Sequence, residues 1–282
     1  MMKIAVASGK GGTGKTFIST NLAYIAADQG SVHLFDLDVE EPNAHLFFPE
    51  RVRDSRAVRR MIPIVNAEIC DHKGICTQVC EYHAIISLAT TTMVFPELCH
   101  SCYGCLELCP TRAISEGFKE IGKIHRSDTG GLHLITGELK VGESAAPSLI
   151  SETKTSVPQE AQINIYDAPP GTSCPVIEAV KDMDYIILVT EPTPFGLHDL
   201  DLMVQTINQI DRPYGVVVNK SQAGNNLIES YCTEHGIEII ARFAQDINIA
   251  RAYAQGKIVS AVFPEIRTRF ETLLQRIRER MI

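Results

Sequence analysis

The chain has no tryptophan among its 282 residues, and aromatics make up only 6% of it. It has no block of lysine and arginine that would track a phosphate backbone. With a formal net charge of −8, nucleic acid is a poor partner for it. No apolar run approaches the roughly 20 residues needed to span a bilayer. Nothing at the start resembles a signal peptide, because "MMKIAVASGKGG" runs from a short apolar segment straight into a glycine-rich loop and reads as a buried strand. Low-complexity tracts are absent as well. A cytoplasmic protein of one large or two modest domains is expected, and membrane binding is not.

Cysteine is plentiful by contrast. There are nine, and in a reducing compartment they are metal ligands sooner than disulfides. Seven of the nine fall between Cys70 and Cys109, while Cys174 and Cys232 stand apart.

The segments on either side of that cluster share one rhythm. "KIAVA" (Lys3–Ala7) is a strand, "GKTFISTNLAYIAADQG" a helix closed by Gly30, and "VHLFDLD" a strand ending in acids. After residue 118 the pattern returns with "INIYDAPPG", "YIILVT" and "YGVVVNK" as strands, separated by the helical stretches "GLHDLDLMVQTINQI" and "GNNLIESYCTEHG". Apolar strands alternating with amphipathic helices predict an α/β fold, its mostly parallel sheet covered by helices on both faces. The expected division is a discontinuous α/β domain, residues 1–60 and 119–282, and an inserted α+β module at 61–118. The Ser-, Thr- and Pro-rich segment Glu143–Glu160 reads as a loop or mobile connection.

"GKGGTGKT" (Gly9–Thr16) fits the P-loop pattern in its required place, after one strand and at the start of one helix. Gly9, Gly11, Gly12 and Gly14, with Thr13 between them, allow the cramped curve that turns backbone N–H groups toward phosphate oxygens. The helix N-terminus adds positive potential. Lys15 reaches the β- and γ-phosphates of ATP or ADP in such loops, and the Thr16 hydroxyl ligates Mg²⁺. Asp36, Asp38 and Asp167 stand at predicted strand ends, where an α/β sheet puts its ligands. Asp38 is the candidate to orient the attacking water or assist Mg²⁺, and Asp167 to hold Mg²⁺ through water. Each of them alone can also be a helix cap.

"CHSCYGCLELCP" (Cys99–Pro110) is an unbroken C-x2-C-x2-C-x3-C-P run, the bacterial ferredoxin pattern, although zinc can use the same thiolates. "CDHKGICTQVC" (Cys70–Cys80) is the partner run with Lys73 in the second ligand position. Because the fourth cysteine of each run serves the other cluster, one set is Cys80, Cys99, Cys102 and Cys105, complete for [4Fe–4S]. The other set is Cys70, Cys76 and Cys109. Three outcomes stay open for it: a [3Fe–4S] cluster, which is preferred; a [4Fe–4S] cluster with His72, Asp71 or solvent on the fourth iron; or a lost cluster whose cysteines only pack.

The extra lysine, Lys10, in "KGGTGKT" resembles the deviant Walker A motif of the MinD/ParA ATPases, a group that includes nitrogenase iron protein. "DLDVEEPN" resembles that family's switch I, "DAPPGT" (Asp167–Thr172) its Walker B aspartate and switch II. "VVVNK" places Asn219 where the family reads the adenine edge. With the cysteine module, the chain resembles MinD-superfamily P-loop ATPases carrying an inserted ferredoxin domain, from Lys3 to the C-terminal helix. The resemblance implies a slow, dimer- or partner-dependent ATPase in which Lys10 reaches the partner's nucleotide. The dimer is a homodimer or a pair with a paralogous ATPase, and a redox or iron–sulfur protein is the further partner.

On this reading, nucleotide-driven switching couples to electron transfer. One rival is an iron–sulfur scaffold or carrier similar to the Mrp/ApbC ATPases, and another is a MinD-like positioning ATPase with redox-sensing clusters. Cys174 reads as a small residue packed at a helix start, with an interface role as the alternative, and Cys232 as a core residue. The apolar stripe Phe263, Ile266, Phe270, Leu273, Leu274, Ile277 reads as a helix docked on the sheet, with membrane binding as the alternative.

Overall fold

The structure is a computed structural model that describes residues 1–48, 52, 54–157 and 161–281. It divides into two compact units. The first comprises Met1–Arg56, Ile124–Glu138 and Ala146–Ile282; the second comprises Ala57–Lys123 and Leu139–Ala145. In chain order the elements begin with β1 (Met2–Ser8), α1 (Lys15–Ala27), β2 (Val32–Asp36) and β3 (Asp54–Val65). The cysteine region holds α2 (Ile75–Val79), β4 (Ile85–Ser87), β5 (Thr92–Val94) and α3 (Gly104–Glu107). Then come β6 (Ile114–Thr129), β7 (Leu132–Leu139), α4 (Ala146–Lys154), β8 (Ile163–Pro170) and α5 (Cys174–Val180). The chain continues with β9 (Tyr185–Thr190), α6 (Pro194–Ile210), β10 (Tyr214–Ser221), α7 (Leu227–Glu234) and β11 (Ile239–Ala244). It closes with α8 (Ile247–Ala254), α9 (Val259–Val262) and α10 (Pro264–Arg280).

Strand order in the nine-stranded sheet is β11-β10-β9-β1-β8-β2-β7-β6-β3. From β11 to β7 each strand runs parallel to its neighbours, with Ile4 level with Ile165 on one side and Tyr185 on the other. All six residues of β9 are buried, as are the last five of β1, which is why these strands read as continuous apolar runs and not as alternation. The chain crosses from β1 through α1 to β2, over β8, which lies between those two strands. The loops leaving the C-terminal ends of β1, β2 and β8 therefore lie side by side, the usual ligand position in an open α/β sheet.

Four features differ from the sequence reading. Residues 146–154 form α4, where a loop was expected; Ala146, Leu149, Ile150 and Thr153 are buried at helical spacing, with Lys154 buried beside them. Residues 158–160 of that expected loop lie outside the described residues. Helix α1 stops at Ala27 with Asp28 as its cap, short of Gly30. Cys174 opens α5 but is exposed, so it is not a packed helix-start residue. The second unit begins at Ala57 and also takes in 139–145. Lys140 N–H donates to Ile121 O at 2.9 Å, and the nearly buried Glu143 carboxylate pairs with Lys119 at 2.8 Å.

Helix α10 turns Ile266, Phe270, Leu273, Leu274 and Ile277 into the main core, where Phe270 meets Phe17 and Phe243 at ring-centroid distances of 5.6 and 4.6 Å. Its apolar face is covered by protein, and only the arginine face is left for solvent. No helix among the described residues is long and apolar enough to cross a membrane. Truncating a fully buried aromatic costs about 3–5 kcal/mol. Phe270→Ala should lower unfolding stability by that amount in a denaturant titration. A loss under ~1 kcal/mol would mean that α10 is not docked.

Candidate functional site

The loop after β1 bends because Gly12 and Gly14 take left-handed backbone, with φ of 78° and 97°. At Gly14 there is a second constraint, since a Cβ would come within 2.2 Å of the Asn219 amide nitrogen. Asn219, from β10, donates that N–H to Thr13 O at 2.8 Å, so it braces the loop from below. A cavity of about 570 Å³ opens over the loop, lined by Gly11, Gly12, Gly14, Lys15, Thr16 and Asp38 among others. Asn219, Lys220, Ile249 and Tyr253 line it too, and the sequence reading had only the first of these. A second cavity, of about 500 Å³, lies around the His133–Asp128 pair near the start of β2 and β7, away from every motif named above.

Asp36, Asp38 and Asp167 are held near one another, with Lys15 among them. Asp36 is fully buried and accepts from the N–H groups of Asn43 and Ala44, at 2.9 Å each, which fixes the 36–44 turn. Its role is therefore to shape the turn from inside. Burial, and then the charge of Asp167, raise its pKa. Asp167 is raised too, by burial, against Lys15 and the nearby Thr16 and Ser19 hydroxyls. Neither of its carboxylate oxygens has a hydrogen-bond partner at bonding distance. Buried, unpaired carboxylate oxygens beside Thr16 suit a hydrated divalent cation, which needs oxygen donors. Asp38 borders the cavity, and burial pushes its carboxyl up to about 6, with Lys15 opposing and Asp167 adding to the shift.

Lys10 turns away from the cavity lining. Its ammonium pairs with Glu191 at 2.6 Å, and Lys220 takes the other oxygen of Glu191 at 3.1 Å while donating to Gly12 O at 2.8 Å. Burial works against the Glu191 charge, but hydrogen bonds from both lysines keep its carboxyl below the usual range. Lys220 holds a left-handed φ of 52°, uncommon for a lysine. The sequence reading missed Glu191 and Lys220. The signal was present, because "TEPTP" puts an acid at the end of β9 just as "DLD" does at β2.

In the second unit the two cysteine runs superpose as a repeat offset by 29 residues. Cys70, Lys73, Cys76 and Cys80 correspond to Cys99, Cys102, Cys105 and Cys109. Backbone signs repeat as well: positive φ occurs at His72, Gly74 and His83, and again at Ser101, Tyr103 and Arg112. Helices α2 and α3 occupy matching places. Ala84 N–H donates to Cys80 Sγ at 3.2 Å, and Ala113 N–H to Cys109 Sγ at 3.3 Å.

The structure gathers Cys80, Cys99, Cys102 and Cys105 around one hollow and Cys70, Cys76 and Cys109, with His72, around another. Asp71 and Lys73 border the second hollow as well and pair with each other at 3.0 Å. Burial and the Cys99 and Cys102 sulfurs push the Cys105 thiol up to about 11, since nothing cationic offsets the charge. Burial opposes the Cys109 thiolate as well, yet hydrogen bonds from Thr111 and Ala113 bring its pKa below normal. Among the described residues, no three His, Cys, Asp or Glu side chains converge closely enough to hold one metal ion.

A P-loop bent by glycine, a lysine buried in it and strand-end carboxylates define a nucleotide-binding α/β protein. Residues 4–259 match the model for the CobQ/CobB/MinD/ParA nucleotide-binding domain, and the chain belongs to that family of ATPases. It is similar to two proteins of Methanocaldococcus jannaschii, the uncharacterized proteins MJ0578 and MJ0579. Identity to the first is 36% over 80% of both chains, and to the second 31% over 78% of this chain and 80% of that one. In fold it is similar to MinD of Pyrococcus horikoshii bound to Mg-ADP, with a TM-score of 0.63 at 16% identity over 98% and 95% of the two chains. The Cyanothece McdA(D38A)–ATP complex gives 0.62 at 15% identity over 98% and 96%. The family thus implies nucleotide binding.

The raised Asp38 pKa has a consequence for stability. The nucleotide-free fold takes up this proton more readily than the unfolded chain does. The stabilisation is present below the ordinary carboxylate range and is lost as pH rises through about 6. Asp38→Asn, measured in a chelator without nucleotide, should melt higher than wild type near pH 7.5, and the difference should shrink below pH 5. An equal difference at both would show that Asp38 is not desolvated.

Proposed function

We propose that this protein is an ATP-hydrolysing iron–sulfur protein in which nucleotide-driven pairing of two subunits gates electron transfer through ferredoxin-type clusters. The observation that carries this reading is the pair of cysteine hollows, whose membership is the cross-ligated division of a two-cluster ferredoxin. The unbroken C-x2-C-x2-C-x3-C-P run beside a partner run suits paired clusters better than zinc. Cys80, Cys99, Cys102 and Cys105 hold the complete cluster and Cys70, Cys76 and Cys109 the other. The clusters supply one-electron storage and release.

In the ATPase unit, Gly9–Thr16 cradles the phosphates, Lys15 balances their charge, and Asp38 orients the attacking water. Thr16 holds Mg²⁺ directly and Asp167 holds it through water. Asn219 sits at the base side of the loop. Lys10 acts on the nucleotide of a second subunit, and must first leave Glu191. Residues 36–43 and 167–172 answer to the nucleotide, and the chain enters the cysteine module shortly after the first of these. Gating then requires a partner that prefers one nucleotide state. M. jannaschii has two relatives of this chain, which favours a paralogue as well as a second copy as the other subunit.

A positioning ATPase is the second reading, favoured by the likeness to MinD structures. The burial of the apolar face of α10 weighs against a membrane-gripping version of it. Anaerobically reconstituted protein should pass electrons to a one-electron acceptor at a rate that changes on adding ATP. Lys15→Ala should abolish that change and cut hydrolysis by about 10²–10³-fold while leaving the cluster spectrum intact. Rapid donation of iron–sulfur to an apo-protein, with no ATP effect on electron transfer, would instead support the carrier rival.

The cis pairing of Lys10 gives a separate expectation. Part-exposed ion pairs are worth about 0–1 kcal/mol. Glu191→Gln should therefore lower the ATP concentration needed for dimerisation by up to about 5-fold in sedimentation runs. A shift to higher ATP would place Glu191 within the dimer contact itself.

A further inference from the structure

The geometry points to His72 as the fourth ligand of the second cluster, through Nδ1, which makes that cluster a cysteine–histidine [4Fe–4S] centre; this rests on the two-cluster reading above. The 29-residue repeat shows what was lost, since Lys73 occupies the place of Cys102. Lys73 is no substitute. Its side chain is 67% exposed and engaged with Asp71, and an ammonium has no lone pair to give iron. The Asp71 carboxylate is occupied by the same contact and also accepts from Lys73 N–H at 3.4 Å.

His72 is placed differently. Its Nδ1 lies 3.6 Å from Cys70 Sγ and 3.2 Å from Thr92 Oγ1, on the hollow that Cys70, Cys76 and Cys109 share; Asp71 and Lys73 border that hollow too, but pair with each other. The equivalent residue of the intact run, Ser101, takes the same left-handed backbone but turns its hydroxyl away to Met61 O at 2.7 Å. The turn is therefore common to both loops, and the direction of the side chain is what differs. Thr92 Oγ1 also lies 3.0 Å from Ser87 Oγ and 3.5 Å from Cys70 Sγ, so its hydroxyl has the thiolate within reach once Nδ1 is engaged by iron. A neutral nitrogen in place of an anionic thiolate makes this cluster the more positive of the two, as histidine ligation does in other iron–sulfur proteins.

The test uses the full chain, reconstituted anaerobically with ferrous iron and sulfide. Wild type should bind about eight irons per chain and give no [3Fe–4S] resonance when oxidised. When reduced, it should show a strong histidine ¹⁴N coupling in pulsed electron paramagnetic resonance. His72→Ala should lose that coupling and about one iron and display the [3Fe–4S] signal, while His72→Cys should be silent again. The spectrum of the four-cysteine cluster reports that each variant is folded. A [3Fe–4S] signal in wild type, or about eight irons without ¹⁴N coupling, overturns the role of His72 and leaves two clusters standing. Only about four irons per chain overturns both.

Discussion

Three carboxylates and one lysine at the carboxyl ends of β2, β8 and β1 set the terms for the rest of the ATPase unit. Asp36, Asp38 and Asp167 repel one another, and burial raises all three pKa values, so the arrangement opposes folding unless something compensates. Asp36 is compensated internally, by N–H groups of the turn it shapes. Asp38 and Asp167 are offset only partly, by Lys15. That leaves residual negative potential beside the glycine loop, which a hydrated divalent cation would neutralise.

Charge also organises the cysteine module, but with symmetry as the organising constraint. Two copies of one loop–helix–turn unit, 29 residues apart, each lend their last cysteine to the other's hollow. This exchange explains how the module tolerates Lys73. Cys80 belongs to the damaged run by sequence yet completes the intact set, and the damaged run's own hollow draws Cys109 from its neighbour. The N–H donors to Cys80 and Cys109 come from matching alanines, so the two exchanged sulfurs are supported alike.

The sheet was legible because its strands are apolar throughout. "YIILVT" corresponds to β9 residue for residue, and the P-loop announced its own geometry through spacing. The two sulfur sets expected from cross-ligation line two separate hollows. Other features were hidden for physical reasons. Helix α4 lies in a polar, Ser- and Thr-rich tract whose few apolar residues form a narrow stripe, too sparse to outweigh its loop-like composition. The exposure of Cys174 depends on tertiary packing and leaves no local trace. Glu191 was passed over because one strand-end acid means little until the lysines facing it are known. The sequence offered His72 only beside Asp71 and solvent, within a [4Fe–4S] alternative to the preferred [3Fe–4S] cluster, since spacing cannot say toward which side a turn aims its side chain.

Lys10 and Glu191 join these strands of argument. In the isolated chain the loop lysine is satisfied in cis, by a carboxylate that Lys220 also holds, and Lys220 in turn is tied to Gly12 O of the P-loop. The phosphate loop, the end of β9 and the end of β10 are thus linked through one carboxylate. Any second subunit that offers Lys10 a nucleotide phosphate competes with Glu191, and the competition favours phosphate only when the nucleotide carries enough negative charge. A triphosphate presents more charge at the far end than a diphosphate does. Release of Lys10 would also leave Glu191 to Lys220 alone, loosening the tie on Gly12. On the proposed trans role of Lys10, pairing of subunits and the state of the phosphate loop would be coupled through the same two lysines.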